Sequence, residues 1–293
     1  MESRTIAVIG ATGAQGKGVV HALVREGSFT VRAITRKPDD YGGKADAVVH
    51  GDLTDPDSLT HAFQDAYGAF VVTNFWEGAD ELAQGKQAVQ AAREAGVKHF
   101  VWSTLPNVEE ISSGKFEVPH FTGKAKVDGY VRRAGFPYYS FVQAPFYFQN
   151  LSGMLGPQAQ ADGSTGWTLP IDPAKEVIHM GDVNDLGKVV AGAFLHPDKV
   201  GKGSYLSLAA GAYSFNDVLE AYQANGKEYT FNRVPGEQFS TFFEGAGEIE
   251  QMLAYFEAYT YLGPDSENSL QSAREVATGK FKSLSEWVKQ NVG

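Results

Sequence analysis

The chain has 293 residues, 43% hydrophobic and 20% charged, a balance that excludes wholesale disorder and supports a large core without metal or disulfide staples. It has no cysteine, which excludes disulfides, thiolate metal sites, iron–sulfur clusters and a cysteine nucleophile. A net charge of −10, without a basic stripe, excludes general nucleic-acid binding, which depends on Lys and Arg set against phosphates.

Residues 5–9 read as a strand closed by Gly10. Residues 15–26 read as a helix, with Val19, Val20, Leu23 and Val24 at helical spacing and Gly27 as stop signal. Strands follow at 30–35 and 45–50, the second ending at Gly51-Asp52. Asp55 is a candidate N-cap, with Pro56 opening a helix that runs to 64. A fourth strand spans 69–73, a helix 82–95 ends at Gly96, and a fifth strand spans 99–103. A helix at 120–134 stops at Gly135 before a sixth strand at 138–143. Beyond residue 150 the pattern loosens, with helical stretches near 182–195, 215–223, 247–262 and 283–290. No run approaches the ~18 apolar residues of a membrane span, and the 6–9 run is too short for a secretory signal. A soluble, cytoplasmic protein is expected, with a nuclear presence left open.

Short apolar strands alternating with helical crossovers require a parallel sheet covered on both faces. The expected fold is therefore α/β, a Rossmann-type doubly wound parallel sheet with a smaller, mostly helical C-terminal lobe. Residues 1–150 form the dinucleotide-binding domain. Residues 151–293 form the second lobe, interleaved with the first and closing a cleft over the carboxyl ends of the strands, where ligands of such sheets bind.

The first strand leads into Gly10-Ala11-Thr12-Gly13-Ala14-Gln15-Gly16. Gly10 suits the tight turn, Gly13 a close approach to a pyrophosphate, and Gly16 close packing of helix on sheet. The following helix N-terminus offers free N–H groups to phosphates. The second strand ends in Thr35-Arg36-Lys37 with no acid. An NAD site wants a carboxylate there for the ribose hydroxyls, whereas Arg36 can fork onto a 2′-phosphate. NADP(H) is the expected cofactor, in preference to NAD(H).

Four further segments join the glycine motif: Val72-Thr73-Asn74-Phe75-Trp76-Glu77, Gln84-Gly85-Lys86, Pro119-His120-Phe121-Thr122-Gly123-Lys124, and Pro145-Phe146-Tyr147-Phe148-Gln149-Asn150-Leu151. Together the five resemble the NmrA-like family, an atypical branch of the short-chain dehydrogenase/reductase superfamily, and within it the NADPH-sensor type. The resemblance implies that Gly10, Ala11, Thr12, Gly13, Ala14 and Gln15 wrap the pyrophosphate. It puts Arg36 on the 2′-phosphate and Asp52 and Leu53 beside the adenine. Thr73, Asn74 and Phe75 would line the ribose and nicotinamide, Lys124 would reach the nicotinamide ribose, and Tyr147, Phe148, Gln149 and Asn150 would close over the ring. One departure is Ala83, where close relatives carry a cofactor-contacting lysine.

Reductases of the wider superfamily use Tyr-x-x-x-Lys with a serine after the fifth strand. Here Lys124 is present and Ser103 or Thr104 fits the serine place, but His120 stands where the tyrosine belongs. His120 and Lys124 share a helix face, and the Lys124 charge favours a neutral imidazole. Two readings stay open. In one, the chain senses the cofactor and reports to a regulatory protein partner, through loops near 74–77 and 109–120 that order on binding. In the other, His120 and Lys124 serve an NADPH-dependent reduction of a bulky apolar carbonyl, enone, imine or quinone. The resemblance favours sensing. The seven histidines lack metal-ligand spacing, so no metal is expected. Ile249, Met252, Phe256 and Tyr259 form an apolar helical stripe, read either as core or as the wall of a pocket or partner face. A homodimer is left open.

Overall fold

A computed structural model describes residues 4–291 apart from Ala79, Met154 and Ala161; the opening residues 1–3 lie outside the described residues. In chain order the elements are β1 (Arg4–Ile9), α1 (Ala14–Glu26), β2 (Phe29–Thr35), β3 (Ala47–His50), α2 (Pro56–Phe63), β4 (Gly68–Val71), α3 (Glu81–Glu94), β5 (His99–Thr104), α4 (Val108–Ile111), α5 (Pro119–Arg133), β6 (Tyr138–Gln143) and β7 (Phe146–Tyr147). There follow β8 (Gln158–Ala159), β9 (Thr165–Leu169), β10 (Ile178–Gly181), α6 (Leu186–Leu195), α7 (Pro197–Val200), β11 (Lys202–Ser207), β12 (Gly211–Tyr213), α8 (Phe215–Gln223), β13 (Thr230–Arg233), α9 (Gly236–Phe239), α10 (Ala246–Tyr259), α11 (Glu267–Val276) and α12 (Leu284–Asn291).

The main sheet is seven-stranded and parallel, in the order β11-β6-β5-β4-β1-β2-β3. Its strand order reverses between β1 and β4, which opens the crevice at the carboxyl ends. Each central strand is buried on both faces, as parallel strands under helices must be. Ile6, Val8, Val31, Phe70, Val101 and Val142 face one way, into a core shared with α1 and α6. Ala7, Ile9, Ile34, Val71, Phe100, Trp102 and Phe141 face the other, against α2, α3 and α5. At about 25 cal/mol per Å² of apolar area removed from water, these two layers are the main source of stability.

Local signals act as the sequence suggests at several ends. Asp55 caps α2 by accepting from the Ser58 N–H, and α1 ends at Gly27. Two strand ends shift for identifiable reasons. β3 begins at Ala47: the Asp46 N–H still donates to the Val31 carbonyl at 2.9 Å, but it is the Asp46 carboxylate that accepts the Val31 N–H, at 2.7 Å. β4 ends at Val71 because the Thr73 carbonyl is taken by the Lys124 ammonium at 2.7 Å.

The second half of the chain returns to the first. β11 pairs with β6 as an edge of the main sheet, and α6 packs on α1. Beside its helices this half builds two three-stranded sheets, β12-β10-β7, which takes β7 from the first part of the chain, and β13-β9-β8. The strand at 202–207 and the helix at 267–276 escape the sequence reading. The strand buries only its last two residues and shows no clear alternation; the helix is amphipathic but short, and it buries only Ala273 and Val276. Among the described residues no helix is long and apolar enough to cross a membrane.

Outside the cleft, Asp128 on α5 is the most displaced carboxyl. It is 6% exposed, and burial pushes its pKa up to about 7 against the pull of Tyr205, whose hydroxyl donates to it at 2.7 Å. A carboxyl raised above its unfolded value contributes stability that is present at low pH. That contribution is lost as pH rises from about 4 through the folded value. Asp128→Asn is therefore expected to gain on the wild type progressively between pH 5 and 8, by a few kcal/mol at most. Urea unfolding of both proteins across that range checks it; parallel stability curves would refute it.

Candidate functional site

A cleft of about 560 Å³ runs along the carboxyl ends of β1 to β6. At its centre lies the turn after β1. Gly10 takes φ +71°, where a Cβ is disfavoured, and the Gly13 N–H closes the turn on the Gly10 carbonyl at 2.8 Å. A Cβ on Gly16 would lie 2.1 Å from the Gly10 oxygen, so only glycine lets α1 start so close to the turn. No side chain caps α1, and its first turn has no acid. Its N-terminal N–H groups therefore point, uncompensated, into the cleft, and these residues form an anion cradle that fits a dinucleotide pyrophosphate.

To one side, after β2 and β3, the wall is Arg36, Asp52 and Leu53. Asp52 is held below the ordinary aspartate range by the backbone N–H and hydroxyl of Thr54, with burial opposing and Arg36 and His50 assisting. To the other side, after β4, β5 and β6, lie Thr73, Asn74, Phe75, Trp76, Thr104, His120, Phe121, Lys124, Tyr147 and Asn150. There the wall continues into the second half of the chain through Leu155, Ile249, Met252 and Tyr261, making an apolar chamber.

Of the residues expected at the site, Gly10, Thr12, Gly13, Ala14, Gln15, Arg36, Asp52, Leu53, Thr73, Asn74, Phe75, His120, Lys124, Tyr147 and Asn150 line this cleft. Three do not. Ala11 is fully buried in the core beneath the turn. Phe148 faces inward, onto Tyr213 and Trp287. Gln149 is turned away onto Asp182 and the Val183 N–H, at 2.7 and 3.2 Å. The 3₁₀ turn at Phe148–Leu151 alternates the chain between core and cleft, so of residues 147–151 only Tyr147 and Asn150 line the cleft.

Side-chain roles differ from those the resemblance implies. Gln15 spans the floor: its carbonyl accepts from Ser103 at 2.6 Å and its amide donates to the Tyr147 hydroxyl at 2.8 Å. Ser103 is fully buried beneath it. Burial pushes Tyr147 up to about 12, with the Gln15 bond pulling the other way.

Lys124 is 8% exposed and Glu81, at the start of α3, 3% exposed. The Lys124 ammonium donates to the Thr73 carbonyl at 2.7 Å, to the Thr73 hydroxyl at 2.9 Å, and to Glu81. Thr73 in turn donates to Glu81 at 2.7 Å. An ammonium has three N–H donors, and all three are in use, so the ribose contact expected of Lys124 would require it to release a partner. Burial lowers the Lys124 pKa and Glu81 opposes that shift.

His120 meets a second carboxylate. Its Nδ1 lies 2.5 Å from Glu248 on α10, which also accepts the His120 backbone N–H at 3.3 Å. Glu248 lies below the ordinary glutamate range: burial raises it, and its bonds to the His120 ring and N–H and the ring's charge outweigh that. The imidazole sits between Phe75, Trp76 and Phe121, with ring centroids 5.8, 5.2 and 4.9 Å away. Lys124, expected to oppose a charge on that ring, is instead spent on Glu81.

Glu81 and Glu248 were not found by sequence reasoning. Each looks like an ordinary acid in the first turn of a helix, and only tertiary packing sets it on a base. The apolar stripe divides: Ile249 and Met252 wall the cleft, Phe256 is core, and Tyr259 stacks on Tyr255. No group of three or more potential metal-ligating side chains occurs among the described residues.

Residues 2–288 match the NmrA-like family. The chain belongs to the NmrA-like family. One relative is the NmrA-like family domain-containing oxidoreductase FrzB of Cladobotryum sp., 30% identical over 94% of this chain and 92% of that one. Among solved structures, NmrA, a negative transcriptional regulator in complex with NADP, matches with a TM-score of 0.80 at 23% identity, over 99% of this chain and 95% of that one. An Escherichia coli NADPH-dependent quinone oxidoreductase complexed with NADPH matches with a TM-score of 0.76 at 18% identity, over 98% and 100% of the two chains. Both structural likenesses concern the fold that this NmrA-like chain shares with them.

Proposed function

We propose that this chain is an NADP(H)-dependent reductase of an apolar, conjugated substrate. The observation that carries this reading is the apolar chamber, walled by Phe121, Leu155, Ile249, Met252 and Tyr261 and continuous with the anion cradle behind Gly10 and Gly13. A buried apolar wall with a few polar groups is what a small-molecule site requires. Bound NADPH supplies a hydride. The α1 N-terminus would take its pyrophosphate and Arg36 its 2′-phosphate, while the chamber excludes water from the reacting end. FrzB, named an oxidoreductase, and the quinone oxidoreductase of the same fold agree with this reading.

Arg36→Ala is expected to weaken NADPH binding about 10–100-fold, the worth of a charge-assisted hydrogen bond, and to leave NADH binding unchanged. Calorimetric titration of both cofactors measures this; equal losses for the two would remove the NADP preference. NADPH oxidation is then followed with naphthoquinone, cinnamaldehyde and dihydroisoquinoline, representing quinone, enal and cyclic imine.

A second reading, cofactor sensing with a regulatory partner, draws on Trp76, which is 58% exposed at the lip of the cleft on a 3₁₀ turn, and on the commitment of Ser103 and Lys124 to internal partners. Binding of NADPH without turnover of any probe, together with slowed hydrogen exchange at 74–78, would support it over catalysis.

A further inference from the structure

We infer that Glu248, carried in from the second half of the chain on α10, is the positioning residue that makes His120 the proton donor to the substrate. The inference rests on the reductase reading above and adds a residue to it. The usual donor of the wider superfamily is absent, and several groups in or beneath the cleft are committed to internal partners. Ser103 is buried and bonded to Gln15. Lys124 has spent its three donors on Thr73 and Glu81. The Tyr261 hydroxyl donates to the Ala144 carbonyl at 3.0 Å, and Tyr147, pushed up to about 12, is a poor acid near neutrality.

His120 is differently placed. It lines the cleft, and one of its two ring nitrogens is assigned. The Glu248 carboxylate at 2.5 Å on Nδ1 can only accept, so Nδ1 carries a proton and Nε2 is the nitrogen left for a ligand. The second bond, from the His120 N–H to the same Glu248 oxygen, ties carboxylate, backbone and ring together. Phe75, Trp76 and Phe121 hold the ring plane. A base oriented by an acid on its far nitrogen is the arrangement that sets tautomer and direction in general acid–base catalysis.

The step balances. The hydride becomes a C–H bond on an electrophilic carbon conjugated to oxygen or nitrogen, and the displaced electron pair settles on that heteroatom. The ring enters the step protonated on both nitrogens, its charge set against the Glu248 carboxylate; the Nε2–H bond breaks as the new O–H or N–H bond forms, which leaves the neutral imidazole. The Nδ1–H bond stays directed at Glu248, and Nε2 recovers its proton from solvent. One NADPH and one solvent proton are consumed per substrate reduced.

The test uses the full chain with ¹⁵N-labelled histidine. In the cofactor-free wild type, the His120 signal, assigned by its loss in His120→Gln, is expected to show a protonated Nδ1 with a strongly deshielded proton. Glu248→Gln is expected to abolish that signature. With NADPH and whichever probe of the panel the wild type reduces, Glu248→Gln should leave NADPH affinity and KM for the probe unchanged. It should lower kcat about tenfold or more, and Glu248→Asp should recover part of the loss. An Nδ1 signature unmoved by Glu248→Gln, an undiminished kcat, or a wild type that binds NADPH but reduces no probe would each overturn the inference. Failure of the wild type to bind NADPH would instead overturn the cofactor reading beneath it.

Discussion

Glu81→Ala is expected to destabilise the protein by about 3–5 kcal/mol, the cost of leaving one member of a buried ion pair alone. The reason is the position of Lys124, 8% exposed, with Glu81 as its only carboxylate partner among the contacts described. Burial already lowers the Lys124 pKa. With Glu81 gone, nothing opposes that shift, and the side chain either stays charged without a partner or sheds its proton. Both routes cost free energy. The double variant Glu81→Met with Lys124→Met removes both charges at similar volume and is expected to recover most of the loss, since apolar replacement of a buried pair is often neutral. Urea and thermal unfolding of the single and double variants checks this. A single variant that loses less than about 1 kcal/mol, the scale of an exposed pair, would show that Lys124 is solvated.

Gly16→Ala is expected to disable the cofactor cradle. The added Cβ would meet the Gly10 oxygen at 2.1 Å, the Gly10 carbonyl carbon at 2.5 Å and the Ala11 Cα at 2.9 Å. All three are backbone atoms of the turn, so no rotamer change relieves the clash, and α1 must move away from β1. Overpacking of this kind costs about 1–3 kcal/mol and occasionally more. The functional loss is expected to exceed the loss of stability, because the displaced N–H groups would no longer converge where the pyrophosphate is proposed to sit. NADPH affinity is expected to fall at least about tenfold, since a misplacement of roughly 1 Å is enough to spoil a preorganised site. Calorimetry with NADPH, beside a melting curve, separates the two effects. Retained affinity would mean that the cradle is not where the pyrophosphate sits.

Much of the molecule was legible because it is written in short-range patterns. The six strands and four crossover helices up to Gln143 fall within a few residues of their expected bounds. Their strands are short apolar runs, and their helix ends carry Asp55, Gly27 or Gly96 as signals. The regions that escaped are those where such signals are weak. β11 is an edge strand half open to solvent. α11 is amphipathic, but it is short and buries only two residues. β7 and β8 are two residues each, too short to show a period.

The sequence by itself determined the alternation that requires a doubly wound sheet, the glycine turn before α1, the charge of Arg36 at the end of β2, and the absence of any thiol. Each of these depends on neighbours a few residues apart, or on composition. Tertiary structure alone decided what the side chains do. It brought Glu81 onto Lys124 across 43 residues and Glu248 onto His120 across 128. It spent Gln15 on Ser103 and Tyr147, and it turned Phe148 and Gln149 away from the cleft. A buried base needs a compensating acid, but nothing in that requirement says where along the chain the acid must lie. Only the packing of α3 and α10 over the sheet chose it.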